Sequence, residues 1–243
     1  MNRISRLFFH SLGIVLGTWV GFNATVCHAV SFTVTINTTS LATYGAPPAP
    51  FALEFQFNDG DGTVNNTATL SNFNFGIGGT PVGTPTYNCT SGSGVSCSGI
   101  TGDLSSNVIL SDSSDFFNEF IQQFTPSSSD PLSFLLNLTT NVEPVTPDSF
   151  SLAIFDNSGT GIPTSFFDVF VQVDITNPLT IATYASDTSQ SPPACLTCPA
   201  IDITASIEQA STPIPEPGTL FLFASGLVGL VTWRRCQQSR GQS

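Results

Sequence analysis

Hydrophobic and polar residues alternate with a period of two along several stretches of the chain. This alternation is typical of β-strands that bury one face and expose the other. In the stretch 51–57, for example, phenylalanine and leucine occupy every second position and Ala52, Glu54 and Gln56 lie between them. The same pattern predicts strands at 31–37, 70–77, 132–138, 150–154, 167–175, 179–183 and 201–207.

Clusters of Gly, Pro, Ser, Asn and Asp separate these runs at 58–62, 125–131 and 157–161. Residues of these types favour tight turns, so the clusters fit short antiparallel connections. Many short strands with turns at this spacing indicate an all-β fold. We expect a two-sheet antiparallel sandwich that is jelly-roll-like, flanked by an N-terminal signal helix and a C-terminal transmembrane helix.

The stretch 115–124 fits two patterns. Phe117, Phe120, Ile121 and Phe124 would share one face of a helix, yet the phenylalanines also alternate as in a strand. The length and phenylalanine content favour a strand. We predict that it pairs with the run at 132–138 across the intervening Pro/Ser turn.

The N-terminal segment has the features of a secretory signal peptide. Arg3 and Arg6 supply a positive start, an apolar stretch follows, and small residues precede a cleavage site after Ala29. A lipoprotein signal would use Cys27, but Val26 is too large for that motif. We therefore assign 1–29 to the signal peptide and 30–210 to one β-sandwich ectodomain.

The tail at 211–243 has three parts in a defined order. Prolines hold the chain extended, an apolar run of about 16 residues can form a short membrane helix, and arginines resist translocation. An ordinary C-terminal anchor with a proline-rich stalk has a similar order. The three parts are Pro215-Glu216-Pro217, a transmembrane helix at 217–233, and a cytoplasmic basic end at 234–243 that begins with the stop-transfer residues Arg234 and Arg235.

This tail resembles the PEP-CTERM sorting signal of certain Gram-negative, matrix-forming bacteria. The matching residues are Pro215-Glu216-Pro217 directly before the apolar run and the arginine pair after it. The resemblance implies that an exosortase, a membrane protease-transpeptidase, recognises the tripeptide and removes the helix. The body would then reach the cell surface or the extracellular matrix.

The body also resembles a group of PEP-CTERM proteins whose function is unassigned. That likeness implies a β-rich ectodomain and transfers no catalytic residue. The similar elements lie at 51–57, 69–73, 116–120, 139–142 and 147–150.

The segment from Val30 to Pro217 contains no Lys, Arg or His, and it holds all seventeen acidic residues of the chain. Its formal charge is therefore −17, compared with −12 for the whole chain. The absence of these bases excludes Ser-His-Asp and Cys-His catalysis and any zinc site that contains histidine. It also leaves nothing to neutralise phosphates, so we expect no nucleic-acid partner. Excess negative charge by itself also keeps an exported protein soluble.

Four cysteines lie in the ectodomain, and export favours disulfides between them. Local pairing would join Cys89 to Cys97 and Cys195 to Cys198. Cross-pairing, a zinc site of four thiolates and redox activity at the Cys195–Cys198 pair remain alternatives.

Acidic residues suggest two further kinds of chemistry. Asp59 and Asp61 lie two apart in a glycine-containing loop and could bind Ca²⁺ through oxygen, although the loop also works as a plain turn. A glycosidase would need two carboxylates close together in a cleft, and Glu54, Asp168 and Asp174 are candidates. We interpret these three acids as outward-facing and solvated.

We expect a non-enzymatic protein of the cell surface or extracellular matrix with a structural or exopolysaccharide-associated role and no required cofactor. Its partners would be the secretion translocon, signal peptidase, an exosortase-type enzyme and an exopolysaccharide. A carbohydrate-binding module, with or without calcium, is the alternative, and a carboxylate glycosidase is a further one.

Overall fold

The alternating runs form strands because each side of the pleated chain meets a different environment. A computed structural model describes residues 29–44, 50–94, 97–141, 146–189 and 201–210. Within these ranges the chain forms thirteen strands and a short 3-10 helix at Thr39–Thr43. The strands are β1 (Ala29–Asn37), β2 (Phe51–Asn58), β3 (Thr67–Asn74), β4 (Thr80–Cys89), β5 (Gly92–Ser93), β6 (Ile100–Gly102), β7 (Asn107–Ser111), β8 (Phe117–Thr125), β9 (Leu132–Thr139), β10 (Ser149–Phe155), β11 (Val169–Asp174), β12 (Thr180–Thr183) and β13 (Thr204–Gln209).

Two antiparallel sheets contain all of these strands. The six-stranded sheet has the order β13-β1-β9-β3-β7-β6, and the seven-stranded sheet has the order β12-β11-β10-β2-β8-β4-β5. The expectation of an all-β fold with two antiparallel sheets is therefore confirmed.

Phenylalanine fills the space between the sheets. Phe55 on β2 is fully buried, and its ring stacks on that of Phe120 in its own sheet at 5.7 Å. It also meets the edge of Phe134, which belongs to the opposite sheet, with centroids 5.6 Å apart. The two sheets thus pack face to face over one apolar core, as in a β-sandwich.

The stretch 115–124 contains a strand, β8, but the pairing that we predicted for it is wrong. β8 lies between β2 and β4 in the seven-stranded sheet, whereas β9 lies between β1 and β3 in the other sheet. The segment 126–131 therefore crosses between the sheets. The cluster at 58–62 likewise joins strands of different sheets, while 157–161 joins the paired strands β10 and β11.

Several details of the strand prediction also change. The strand predicted at 70–77 ends at Asn74, and Ile77 lies in a turn with its side chain 81% exposed. The strand predicted from 167 begins at Val169. Sequence periodicity did not identify β4, β5, β6 or β7.

The residues of the two predicted flanking helices lie almost entirely outside the described part of the chain. β1 begins at Ala29, the residue after which we predict cleavage, and residues 1–28 and 217–233 belong to the parts that the structure does not describe. In the described ranges, no helix has the length and apolar character needed to cross a membrane.

Candidate functional site

Four aspartates gather at one end of the sandwich, where loops meet the strands. Pairing of Ser149 with Asn58 brings the residue before β10, Asp148, beside the residue after β2, Asp59. One carboxylate oxygen each from Asp59, Asp61 and Asp148 lies within 4.8 Å of the others. We call these three residues together with Asp112 the aspartate cluster.

Backbone N–H groups and one amide orient the aspartate cluster. Asp59 Oδ1 accepts hydrogen bonds from the N–H groups of Asp61 at 3.1 Å and Gly62 at 2.5 Å. Asp148 Oδ1 accepts from the Gly60 N–H at 2.8 Å. A Cβ on Gly60 would lie 2.1 Å from the Pro147 carbonyl oxygen, so this close approach requires glycine.

Asn66 also holds two members of the aspartate cluster in place through hydrogen bonds. Its Nδ2 donates to Asp148 Oδ2 at 2.7 Å, and its backbone N–H donates to Asp112 Oδ2 at 2.8 Å. Asp112 and Asp148 are 3% exposed, and Asp59 is 4% exposed. Three of the four acids are thus held in buried positions in a segment that contains no basic residue.

Burial and repulsion by neighbouring acids make ionisation of Asp112 and Asp148 costly. Burial raises the pKa of Asp148, and the charges of Asp59 and Asp112 raise it further against the hydrogen bonds from Gly60 and Asn66. Burial likewise raises the pKa of Asp112, with Asp59 and Asp61 adding to the effect. A hard cation would relieve both effects, because Ca²⁺ takes six to eight oxygen ligands, and the cluster offers carboxylates.

A second group of acids lies on the outer face of the seven-stranded sheet, and here one interpretation was wrong. Glu54 is only 7% exposed rather than solvated. Gln56 Nε2 donates to Glu54 Oε1 at 2.5 Å and to Glu119 Oε1 at 3.3 Å, so one amide bridges the two carboxylates. Asn88 Nδ2 donates to Glu119 Oε2 at 2.5 Å on the far side.

This environment perturbs Glu54. Burial and then the charge of Glu119 raise its pKa to about 7, while the hydrogen bond from Gln56 opposes the shift and Asp168 adds to it. Of the acids considered for catalysis, the structure therefore brings Asp168 towards Glu54, and it adds Glu119. Asp174 instead accepts a hydrogen bond from Gln172 at 2.8 Å.

Glu54 also lines an open cleft of about 360 Å³. Besides Glu54, its lining includes a second acid, Asp156, the polar side chains of Thr84, Thr86, Gln123 and Asn157, and apolar side chains such as that of Ile121. The two acids disfavour an anionic ligand, and the hydroxyl and amide groups can form hydrogen bonds with a polar one.

An aromatic cluster lies at the start of β11. Phe166 stacks on Tyr184 with centroids 5.0 Å apart and 17° between the ring planes, and Phe167 meets Phe166 edge-on at 5.3 Å. Phe167 is 80% exposed and Phe166 is 39% exposed. We call Phe166, Phe167 and Tyr184 the aromatic platform.

The cysteines follow the local pairing where the structure describes them. Cys89 and Cys97 form a disulfide with Cα atoms 5.6 Å apart, which closes the loop after β4. Cys195 and Cys198 lie outside the described residues, as do Pro215, Glu216, Pro217, Arg234 and Arg235.

Sequence reasoning placed Asp59 and Asp61 in this region but missed Asp112 and Asp148, which come from other loops. It also missed Glu119. The one available signal was that Asp148 lies two residues before a predicted strand, as Asp59 lies two residues after one, but sequence alone did not show that these strands pair.

Comparison with curated proteins and with solved structures found no match. One family model does match. Residues 213–235 fit the PEP-CTERM protein-sorting motif, so this chain carries that sorting signal at its C-terminal end.

Proposed function

We propose that this protein is exported, processed by an exosortase-type enzyme at Pro215-Glu216-Pro217 and delivered to the cell surface or extracellular matrix. There its ectodomain has a non-enzymatic role, structural or associated with exopolysaccharide. The observation that carries the proposal is the match of 213–235 to the PEP-CTERM sorting motif, which implies an exported, membrane-processed protein.

Two features of the ectodomain support export to the cell surface or matrix. The Cys89–Cys97 disulfide suits an oxidising compartment outside the cytosol. The formal charge of −17 between Val30 and Pro217 favours solubility and repels other copies.

The strand order supports the jelly-roll-like class that the sequence suggested. One sheet contains the order β1-β9-β3-β7 and the other contains β2-β8-β4-β5, so consecutive strands alternate between the sheets from β1 to β4 and from β7 to β10. Double-sheet jelly rolls occur in lectin and capsid domains, which bind ligands or build assemblies without catalysis.

Cell fractionation tests the proposal. The wild-type chain should lose its tail and move to the surface fraction, and a variant with Pro215, Glu216 and Pro217 changed to alanine should stay unprocessed in the membrane. Processing and release of that variant at the wild-type rate would refute exosortase sorting. A variant with Pro163 changed to alanine is the control for a general effect of proline loss.

A second candidate function is calcium-dependent carbohydrate binding, and the aspartate cluster favours it. Calcium at Asp59, Asp61 and Asp148 would stiffen the loops at this end of the sandwich. We expect millimolar Ca²⁺ to raise the melting temperature of the wild type, with EDTA reversing the rise. At saturating calcium, 100 times its Kd, the gain in unfolding free energy is about 2.7 kcal/mol.

Two aspartate variants sharpen the calcium test. Asp148→Asn keeps the shape, but it removes one charged ligand, so the calcium response should disappear. Its single amide oxygen can accept from Asn66 or from the Gly60 N–H but not replace both acceptors, so the calcium-free variant should also melt at a lower temperature. Asp202→Asn, at an exposed site, should respond like the wild type. A melting temperature that is unchanged by calcium and EDTA in the wild type counts against a structural ion.

A further inference from the structure

The aromatic platform is exposed because the backbone holds it there. Phe167 has φ of 57°, in the left-handed region that bulky side chains rarely adopt. Burial of the side chain does not offset this backbone strain, because Phe167 is 80% exposed. A strained residue that presents a large apolar ring to water is a candidate for function.

The buried residue Thr164 fixes this strained turn. Its N–H donates to the Phe167 carbonyl oxygen at 2.7 Å, and its Oγ1 donates to the Val169 carbonyl oxygen at 3.0 Å. The same Oγ1 accepts the Phe166 N–H at 3.0 Å. Thr164 is 6% exposed, so these bonds are protected from water and the rings have a defined orientation.

The third ring of the platform comes from a neighbouring segment. The Tyr184 N–H donates to the Phe170 carbonyl oxygen at 2.9 Å, and Thr164 forms an isolated bridge with Ser186. These links hold Tyr184 against Phe166 in the stacked arrangement. The stacked rings of Phe166 and Tyr184 and the edge-on ring of Phe167 are thus ordered before any ligand binds, which lowers the entropy cost of binding.

Asp168, the residue after the aromatic platform's Phe167, contacts the loop that borders the cleft on the outer sheet face. It packs against Gly161 and contributes to the electrostatic environment of Glu54, which lines the cleft. The cleft supplies hydroxyl and amide groups, and the platform supplies apolar ring faces. A sugar ring has the complementary surfaces, since hydroxyl groups surround its edge and C–H groups cover its faces.

We propose that the aromatic platform is a binding site for an uncharged polysaccharide, with the sugar rings stacked on Phe167 and Tyr184. This inference rests on the proposed function, because it specifies the polymer with which an exported ectodomain would associate. The negative charge of the ectodomain determines which class of polysaccharide can bind. Without a single base between Val30 and Pro217, an anionic polysaccharide would be repelled.

The size of the platform argues against a protein partner. Stable protein interfaces bury about 800 Å² on each side. In the described part of the chain, the other exposed large apolar residues are Val64, Ile77 and Phe116 in other loops and Ile181 on β12, which is 41% exposed. A patch of three rings is too small for such an interface but matches one or two sugar units.

Affinity electrophoresis of the full chain tests the inference, in a zwitterionic detergent so that no sugar headgroup competes. Gels contain dextran, laminarin or galactomannan as neutral probes and alginate as the anionic probe. At least one neutral polymer should retard the protein, and alginate should not. Phe167→Ala should weaken that retardation about tenfold or more, since a buried phenylalanine ring contributes on this scale.

Matched variants separate ring stacking from folding. Phe167→Tyr keeps a ring and should retain binding, whereas Phe116→Ala removes a phenylalanine that is 57% exposed elsewhere and should bind like the wild type. The inference is overturned if no neutral polymer retards the protein, or if Phe167→Ala binds as well as the wild type. It is also overturned if Phe116→Ala loses as much binding as Phe167→Ala. Export is measured separately by fractionation, so an exported protein that fails to bind overturns this inference and leaves the proposed function intact.

Discussion

Replacing Glu54 by glutamine should stabilise the protein above neutral pH. Glu54 is 7% exposed, and its carboxylate lies beside that of Glu119 with no base to compensate. The substituted glutamine would keep the shape and still accept the hydrogen bond from Gln56. It would remove only the cost of burying the charge.

The size of the effect follows from the pKa of Glu54, which burial and Glu119 raise from 4.5 to about 7. Each pKa unit corresponds to about 1.4 kcal/mol, so the full effect is about 3 kcal/mol. Between these two pKa values the folded state binds more protons than the unfolded state. The wild type therefore loses stability as pH rises from about 4.5 to 7, and the loss is complete above that range.

Urea denaturation followed by far-UV circular dichroism between pH 4 and 9 measures this effect. Tryptophan fluorescence does not report on the ectodomain, because Trp19 and Trp233 both lie outside it. Glu54→Gln should match the wild type near pH 4 and exceed it by up to about 3 kcal/mol at pH 8. Asp112 and Asp148 titrate in both proteins, so the difference between the two curves isolates Glu54.

Glu208→Gln is the matched control, because Glu208 is an exposed glutamate on β13. It should follow the wild-type curve at every pH. If Glu54→Gln is no more stable than the wild type at pH 8, or if its gain does not shrink on acidification, the account of a buried and repelled carboxylate is wrong.

Three further substitutions test packing, cross-linking and strain. Phe55→Ala should lower the free energy of unfolding by about 3–5 kcal/mol in urea titrations, because its ring is fully buried, whereas Phe116→Ala at an exposed site should change it by less than about 0.5 kcal/mol. Cys89→Ser should cost about 2–3 kcal/mol by opening the loop to Cys97, and dithiothreitol should have the same effect on the wild type in calorimetry. Phe167→Asn should raise the unfolding free energy by roughly 1 kcal/mol, because asparagine tolerates a positive φ, and an unchanged or lower value would argue against strain there.

The sequence predicted strands well wherever a buried face alternates with a polar one. β1, β2, β9 and β10 coincide with clear alternation because their inner residues face a continuous apolar core. β4 was missed, since its sequence contains two prolines and a glycine and its register with β8 shifts between Val82 and Thr86. Only its last residue, Cys89, is buried, so no alternation of buried and exposed positions marks it.

Pairing between strands was harder to predict than the strands themselves. Alternation shows which residues of β8 face the core, but it does not show which strand lies beside it. The short Pro/Ser segment after Thr125 favoured a hairpin with β9. In the sandwich that segment crosses to the other sheet, which places Phe120 and Phe134 on opposite sides of one core.

The sites depend on contacts between distant parts of the chain. Asp59 and Asp148 are far apart in sequence and meet only because β2 pairs with β10. Glu54 occupies a polar position in the alternation, so solvent exposure was the natural expectation. Alternation shows which side of a strand a residue faces but not what covers that side, and the burial of Glu54 could not be foreseen from it.

Peptide mapping of the protein from the cell-surface fraction tests whether both ends of the chain are removed on export. Trypsin has no site between Arg6 and Arg234, so the digestion must use a protease that cuts at acidic or aromatic residues. We expect an N-terminal peptide that begins at Val30 and no peptide from 218–243. A surface protein that retains both ends, or an intact chain found only in the cytosol, would contradict it.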